Sequence, residues 1–312
     1  PPPAPLLVVH QGALGDLVCL FPLLAALRRR HRPLALIAQA GLARLARSEG
    51  IADEAHPVEA AWTAALFSGD PGDRLRAWVG GFAWVLAFSG AEALLAPLRR
   101  LAGKRLVAVP PRPPARAAVH VTDHARGLLV AAGLLAADDP EVLSSPPAAG
   151  CPPERVWIHP GAGSARKRWP LGRFLAVADR LRAAGKDPAF LAGPAEEDLL
   201  PPIRAAGHAV TQPEDLTDLA ACLRRGSAYL GCDSGPSHLA AWCGIPCAVL
   251  FGPSDPARWA PRGRAVRILL PTLSCRPCFE SEPENCAAPD CLLGVRPEEA
   301  LAALAALLRP PG

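Results

Sequence analysis

Short apolar runs alternate with longer amphipathic segments along this chain. The runs are typical of buried strands, and the longer segments carry the apolar spacing of helices. Strands are predicted at residues 6–10, 34–39, 82–88 and 105–110 in the first half, and at 155–159, 187–193, 208–211, 227–231 and 247–252 in the second. Helices are predicted at residues 17–30, 41–50, 91–101, 124–135, 174–185, 196–207, 216–225 and 296–310, with one more after residue 238. This alternation predicts an α/β fold with parallel sheets covered on both faces.

One segment interrupts the alternation. Residues 139–153 are rich in Pro, Ser and Ala, as expected of a linker. The 312 residues are enough for two domains with separate cores. We therefore predict two Rossmann-like domains that face a central cleft, at residues 1–142 and 154–312, with residues 143–153 as the linker.

Three polar, glycine-bearing turns follow predicted strands, at residues 11–16, 160–170 and 232–238. Loops at the carboxyl ends of parallel strands commonly bind ligands, and helix N-termini favour anions. These turns therefore predict a site for a phosphate, for hydroxyls, or for both, in a cleft shared by the two sheets. An alternative for the third turn is a plain capped helix, because Ser234 and Ser237 are ordinary N-cap residues and Pro236 is an ordinary first-turn residue.

Composition narrows the class of protein. Half of the residues are hydrophobic and a fifth are charged, which is typical of a globular protein, and the net charge of +4 is too mild to indicate nucleic-acid binding. No signal segment precedes the first strand and no clean apolar run is long enough to span a bilayer, so we expect a soluble, cytoplasmic protein. The dinucleotide-binding motif GxGxxG is absent, which disfavours a nicotinamide-dependent enzyme, and the motifs GxxxxGK[ST], HExxH and DxD are absent as well.

Lysine is rare in this chain. Nearly all basic residues are Arg, and only Lys104, Lys167 and Lys186 are Lys. Lys167 lies between two arginines in the second turn, where a compact ammonium meets a phosphate differently from a guanidinium fork. Two interpretations of Lys167 are open: it has a role at a phosphate, or it is a lysine that was retained by chance in an arginine-rich chain.

Four cysteines lie in the loop 275–291, which is rich in Pro and Glu. Their spacing, Cys-x2-Cys-x7-Cys-x4-Cys, is acceptable for a structural zinc site formed by Cys275, Cys278, Cys286 and Cys291. A disulfide or redox-labile pair and unligated thiols are the alternatives, and a reducing cytoplasm disfavours disulfides.

Three segments resemble the signatures of a known family. Residues 12–29, 159–170 and 232–256 are similar, in order and spacing, to the motifs of the ADP-heptose:lipopolysaccharide heptosyltransferases, glycosyltransferase family 9, which have the GT-B fold. The resemblance implies an inverting transferase that requires no cofactor and no metal. It would move a sugar, heptose from ADP-heptose being favoured, to a lipopolysaccharide-core or related envelope glycan. The donor would bind the C-terminal domain and the acceptor the N-terminal domain.

The resemblance assigns roles to single residues. Asp16 matches the acidic residue that serves as the general base, and Gly12 and Gly15 lie beside it on the acceptor side. The alternative for Asp16 is a capping residue of the helix 17–30. Lys167 matches the lysine that contacts the donor phosphate and stabilises charge on the departing diphosphate. Trp169 is expected to pack.

The donor-binding residues come from the second and third turns. Glu196 falls where the family often has an acidic residue for the nucleotide ribose, and Glu197 is an equal candidate. The predicted donor-binding residues are Gly161, Gly163, Ser164, Glu196, Asp233, Ser234, Gly235 and His238.

The acceptor side is less defined. The chain is shorter than typical members, so acceptor-binding loops in the first half are expected to be trimmed. Arg28, Arg29, Arg30 and Arg32 could meet an anionic lipid or phosphosugar, which is compatible with peripheral association at the inner face of the membrane, or they could complement the helix dipole. The alternatives in function are a GT-B nucleotide-sugar epimerase and a non-catalytic binder of nucleotide sugar or glycan in envelope assembly.

Overall fold

The structure is a computed structural model that describes residues 4–67, 70–114, 117–144, 155–273 and 291–308. The chain divides into two compact units, Pro1–Val142 and Leu143–Gly312. Residues 145–153 of the predicted linker, and Cys275, Cys278 and Cys286 of the predicted zinc site, lie outside the described residues.

The first unit contains a five-stranded sheet in the order β3-β2-β1-β4-β5, and every paired strand is parallel. The carboxyl ends of its strands therefore share one edge. The strands are β1 (Leu6–His10), β2 (Leu34–Ala38), β3 (Glu54–Pro57), β4 (Trp84–Phe88) and β5 (Leu106–Val109). The helices are α1 (Leu14–Arg30), α2 (Ala40–Ser48), α3 (Ala61–Ala64), α4 (Gly72–Gly80), α5 (Glu92–Ala102) and α6 (Val121–Ala131).

The second unit contains a six-stranded parallel sheet in the order β11-β10-β9-β6-β7-β8. Its strands are β6 (Arg155–His159), β7 (Asp187–Leu191), β8 (Ala209–Thr211), β9 (Ala228–Cys232), β10 (Cys247–Leu250) and β11 (Val266–Leu269). Its helices are α7 (Leu171–Ala183), α8 (Leu200–Ala205), α9 (Leu216–Leu223), α10 (Gly235–Trp242), α11 (Pro256–Trp259) and α12 (Pro297–Leu307).

The central strands of both sheets are buried on both faces. Every residue of β1 and of β9 is buried, as expected for a parallel sheet covered by helices. These strands end at His10 and Cys232, and each is followed by a turn into a helix. The cores thus fix the positions of the turns that carry the candidate site.

The predicted α/β class with parallel sheets is confirmed, but the sequence analysis missed some elements. The strands β3 and β11 lie at sheet edges and are short, with Glu, His and Pro in β3 and Arg in β11, so they lack a continuous apolar run. Helix α4 was missed because glycines bracket it.

The predicted helix 196–207 is wrong in its extent. The chain forms a 3-10 turn over Pro194–Leu199, and α8 covers only Leu200–Ala205. Pro201 and Pro202 have no backbone N–H to continue a helix that began earlier, but they are tolerated in the first turn of a new one.

Candidate functional site

The turn after β1 holds Asp16 in a fixed orientation. Asp16 lies in the first turn of α1, half-buried, and its Oδ2 atom accepts a hydrogen bond from the backbone N–H of Ala13 at 2.9 Å. A Cβ atom on Gly12 would lie 2.8 Å from Cβ and Oδ2 of Asp16 and 2.9 Å from Cε1 of His10, so only glycine fits there. Gly15 is adjacent, inside α1.

The capping alternative for Asp16 is observed in part. Its carboxylate caps Ala13 from within the helix, through Oδ2 only. A carboxylate has two oxygens, so the cap leaves Oδ1 available to a ligand. The cap and the base are therefore compatible roles, and the general-base role stays a prediction.

His10 is a residue of this turn that the sequence analysis missed. It ends β1 and is 3% exposed, and its ring is close enough to Asp16 for the two to interact electrostatically. Burial lowers the pKa of His10 to about 4, although the negative charge of Asp16 acts in the opposite direction. The signal was a polar ring at the carboxyl end of an apolar strand.

In the second unit, Lys167 and Asp233 form an ion pair. The Nζ atom of Lys167 lies 2.8 Å from Oδ2 of Asp233, and the side chains are 28% and 6% exposed. Lys167 comes from a 3-10 turn, Ala165–Lys167, after β6, and Asp233 directly follows β9. Because β6 and β9 are neighbouring parallel strands, their following turns meet at one edge of the sheet. The second and third motifs therefore lie side by side because their strands are neighbours.

A buried network holds the Asp233 carboxylate. Ser254 donates a hydrogen bond to Oδ2 of Asp233 and is fully buried, and Nε2 of His238 lies 4.0 Å from Oδ1. Ser254 lies within the third motif, and no role was predicted for it from the sequence. The Asp233 carboxylate is held by Ser254 and in turn positions the ammonium group of Lys167, which is partly exposed to solvent.

The N-terminus of α10 differs from a plain capped helix. Ser234 occupies the N-cap position with extended backbone angles, but its side chain makes no capping hydrogen bond. Its hydroxyl donates instead to the carbonyl oxygen of Cys232 at 3.2 Å, and the Ser237 hydroxyl donates to the same oxygen at 2.5 Å. Tyr229, which is fully buried, is hydrogen-bonded to Ser237 at 3.0 Å. The Ser234 hydroxyl therefore caps none of the backbone amides at the N-terminus of α10.

The structure separates the two candidate acidic residues. Glu196 is 5% exposed, accepts a hydrogen bond from the Gly193 amide at 2.8 Å, and lies 3.7 Å from Nε2 of His159. Burial alone would raise the pKa of Glu196, but interactions with His159, the Gly193 amide and Arg168 outweigh it and lower the pKa. Glu197, in contrast, is exposed. Glu196 therefore braces this loop, and Glu197 is the carboxylate that is open to a ligand.

Gly161 and Gly163 have different reasons to be glycine. A Cβ atom on Gly161 would overlap the carboxyl group of Glu196 and lie 2.7 Å from its Cγ, so the close approach of Glu196 requires glycine. A Cβ atom on Gly163 would meet nothing within 4 Å. Gly163 and Ser164 are both exposed, and they form the open part of the predicted donor loop.

Trp169 packs, as predicted. It is 2% exposed, its indole N–H donates to the carbonyl oxygen of Val295 at 3.1 Å, and its ring meets Phe174 edge-to-face with centroids 4.9 Å apart. This residue anchors the end of the Lys167 turn in the core.

The arginines at the end of α1 are used inside the first unit. Arg28 pairs with Asp53 at 2.7 Å, Arg30 pairs with Asp139 at 3.1 Å, and Arg29 donates to the carbonyl oxygen of Pro140 at 2.6 Å. Arg32 donates to the carbonyl oxygen of Arg28. These contacts favour the structural interpretation over an anion site.

The described residues add little about metals or membranes. Cys291 is buried in a short 3-10 turn, Cys291–Gly294, and packs in the core of the second unit. Within the described ranges, no group of three or more His, Cys, Asp or Glu side chains could hold a metal ion. None of the helices in that part of the chain combines the length and hydrophobicity needed to span a bilayer.

Comparison with known proteins supports the resemblance seen in the sequence. Residues 134–287 match the model of glycosyltransferase family 9 (heptosyltransferase). A curated relative, lipopolysaccharide heptosyltransferase 3 of Escherichia coli, is 34% identical over 124 residues, which are 36% of this chain and 35% of that protein. The match thus spans about a third of the curated relative's length.

Solved structures match over nearly the whole chain. The glycosyl transferase family 9 structure from Veillonella parvula DSM 2008 has a TM-score of 0.77 at 18% identity, over 98% of this chain and 97% of that one. The E. coli ADP-heptose lps heptosyltransferase II has a TM-score of 0.74 at 17% identity, over 97% of this chain and 98% of that one. At this identity the likeness shows the fold, which is the predicted GT-B fold.

Proposed function

Because residues 134–287 match the model of glycosyltransferase family 9, we propose that this chain is a glycosyltransferase that transfers heptose from ADP-heptose. The proposed acceptor is a lipopolysaccharide-core or related envelope glycan, and the proposed stereochemical course is inversion. The names of the similar proteins, a lipopolysaccharide heptosyltransferase and an ADP-heptose lps heptosyltransferase, support this choice of donor and acceptor.

The observation that carries the proposal is the Lys167–Asp233 pair beside the N-terminus of α10. A diphosphate is an anion, and Lys167 is a partly exposed cation whose position is fixed by a buried carboxylate. The phosphate would approach Nζ of Lys167 and not Asp233, since like charges repel. Asp233, His238 and Ser234 would then meet hydroxyls of the sugar, and the open loop at Gly163 and Ser164 would supply backbone and hydroxyl donors.

The proposed reaction is a single displacement. An oxygen of the acceptor attacks the anomeric carbon of the heptose, and the bond from that carbon to the β-phosphate oxygen of ADP breaks. The proton of the attacking hydroxyl passes to the Asp16 carboxylate, which acts as general base. Negative charge builds on the departing diphosphate, and the ammonium of Lys167 stabilises it, so the step requires no metal ion.

The free thiols Cys222, Cys232 and Cys247 are compatible with a reducing compartment, and we place the reaction in the cytoplasm on an envelope precursor at the membrane's inner face.

Glu197 is the proposed ligand of the nucleotide ribose, because Glu196 is buried and already bonded to the Gly193 amide.

Isothermal calorimetry with ADP, UDP and GDP, in EDTA throughout, tests the donor assignment. We expect selective binding of ADP, followed by release of ADP from ADP-heptose only when a heptose-deficient core oligosaccharide is added. Selective binding of UDP or GDP would contradict the donor. Consumption of donor without acceptor would favour an epimerase, and binding without turnover would favour the non-catalytic role.

A further inference from the structure

His10 is a buried imidazole with a polar atom that the described protein does not satisfy. It ends β1 at the carboxyl edge of the first sheet, is 3% exposed, and meets Phe88 at the end of β4 edge-to-face, with ring centroids 6.5 Å apart. Its Nδ1 atom makes no hydrogen bond with any residue that the structure describes. A buried polar atom without a partner costs folding free energy and is uncommon, which indicates that a group outside the described residues pairs with Nδ1 of His10.

The His10 ring and the Asp16 side chain both pack against Gly12. The place where Gly12 lacks a side chain lies 2.9 Å from Cε1 of His10 and 2.8 Å from Oδ2 of Asp16. The first turn of α1, a helix of 17 residues, adds backbone amides that have no partner within the helix. The edge of the His10 ring that carries Cε1, the atom bonded to the unpaired Nδ1, therefore lies beside the Asp16 carboxylate and the free amides around Gly12.

The charge of this position selects the kind of ligand. Burial keeps the His10 ring neutral at physiological pH, since its pKa is lowered to about 4. A neutral imidazole offers one donor and one acceptor. Asp16 is paired with no cationic side chain among the described residues, so an anionic group would be repelled there. A hydroxyl, which can both donate and accept, fits this combination.

We propose that His10 is an acceptor-binding residue whose Nδ1 atom hydrogen-bonds an uncharged hydroxyl of the saccharide acceptor beside Asp16. The inference rests on the proposed function and adds to it the group that recognises the acceptor. It also assigns the specificity of this position to an uncharged saccharide hydroxyl.

Two substitutions of His10 separate hydrogen bonding from packing. His10→Leu preserves an apolar volume without a hydrogen-bonding atom, and His10→Asn places an amide near the position of Nδ1. With ADP-heptose saturating, we expect His10→Leu to lower kcat/KM for a heptose-deficient core oligosaccharide about 10-fold, the size of one lost hydrogen bond, and His10→Asn to recover most of it. The affinity for ADP should not change in either variant.

A matched control comes from His31, another buried histidine of the first unit with an unpartnered Nδ1 atom. It follows the last turn of α1, at the opposite end of that helix from Asp16, so His31→Leu should leave kcat/KM for the oligosaccharide unchanged. Thermal unfolding of each variant confirms that the assays use folded protein. A His10→Leu variant as active as the wild type, or a His10→Asn variant no better than His10→Leu, would overturn the inference.

A second measurement does not depend on transfer. In protein labelled with ¹⁵N-histidine, addition of the oligosaccharide without donor should shift the His10 ring nitrogen resonances and leave those of His31 in place. Unshifted His10 resonances at saturating oligosaccharide would refute the proposal. Failure of the proposed function would appear differently, as a wild-type protein that does not bind ADP.

Discussion

The turns after β1 and β6 share an architecture and differ in charge. Each follows a strand that ends in histidine, His10 or His159, and each contains a glycine pressed against a carboxylate, Asp16 or Glu196. In the first turn the carboxylate is half-buried and has no cationic partner among the described residues. The carboxylate against the second turn comes from the loop after β7 and is buried, and the partly exposed group of the second turn is the cation Lys167.

This difference teaches that the same backbone frame can bring either sign of charge to a ligand. The first turn offers a carboxylate and neutral hydrogen-bonding groups, which suit a hydroxyl. The second turn offers a cation held from behind, which suits a phosphate. The proposed division of labour, with the acceptor at the first turn and the donor at the second, rests on which side chain each turn leaves open.

The largest expected effect comes from the first turn. Asp16→Asn keeps an oxygen that can accept from the Ala13 amide but removes the base, so the transfer rate should fall by about 10²–10⁴-fold. Initial rates of ADP release at saturating donor and acceptor measure it. A rate within threefold of the wild type, as an order-of-magnitude limit, would show that Asp16 is a cap and not a base.

The corresponding change in the second turn removes the cation. Lys167→Ala should slow transfer by about 10²–10³-fold because charge on the leaving diphosphate is no longer stabilised. Lys167→Arg is the control, since it keeps the charge with a different geometry and should recover part of the rate. Equal rates for the Ala and Arg variants would show that the charge of Lys167 does not stabilise the leaving diphosphate.

A smaller effect is expected behind the cation. Ser254→Ala deletes the hydroxyl that holds Asp233, so Lys167 loses part of its positioning, and the rate should fall about 5-fold, as for one lost hydrogen bond. Steady-state kinetics at saturating acceptor measure the change. An unaltered rate in a folded variant would mean that Lys167 and Asp233 hold each other without Ser254.

The smallest effect concerns stability. The folded state lowers the pKa of Glu196 below the ordinary 4.5, so its charged form contributes stability above that pH, and the contribution is lost as the pH falls through the lowered value. Glu196→Gln should therefore cost about 1 kcal/mol near pH 7 and progressively less below pH 4.5. Urea denaturation at several pH values checks this. A cost that does not change with pH would contradict the account.

Much of the fold could be predicted from the sequence, because short apolar runs and the glycines that follow them mark the central strands and their turns. The pairing of Lys167 with Asp233 follows from the parallel neighbours β6 and β9. The burial of Glu196, the hydrogen bond from Ser254 to Asp233 and the unpaired Nδ1 atom of His10 could not be predicted, because each depends on contacts between distant segments. The edge strands β3 and β11 were missed because they lack a continuous apolar run.

Calorimetric titration of ADP into Asp16→Asn and Lys167→Ala, in EDTA, tests the division of labour most directly. The account predicts that Asp16→Asn binds ADP as the wild type does, and that Lys167→Ala binds it about 10-fold more weakly, since a charged contact to phosphate is lost. Unchanged affinity in Lys167→Ala, or weakened affinity in Asp16→Asn alone, would contradict the assignment of the donor to the second turn.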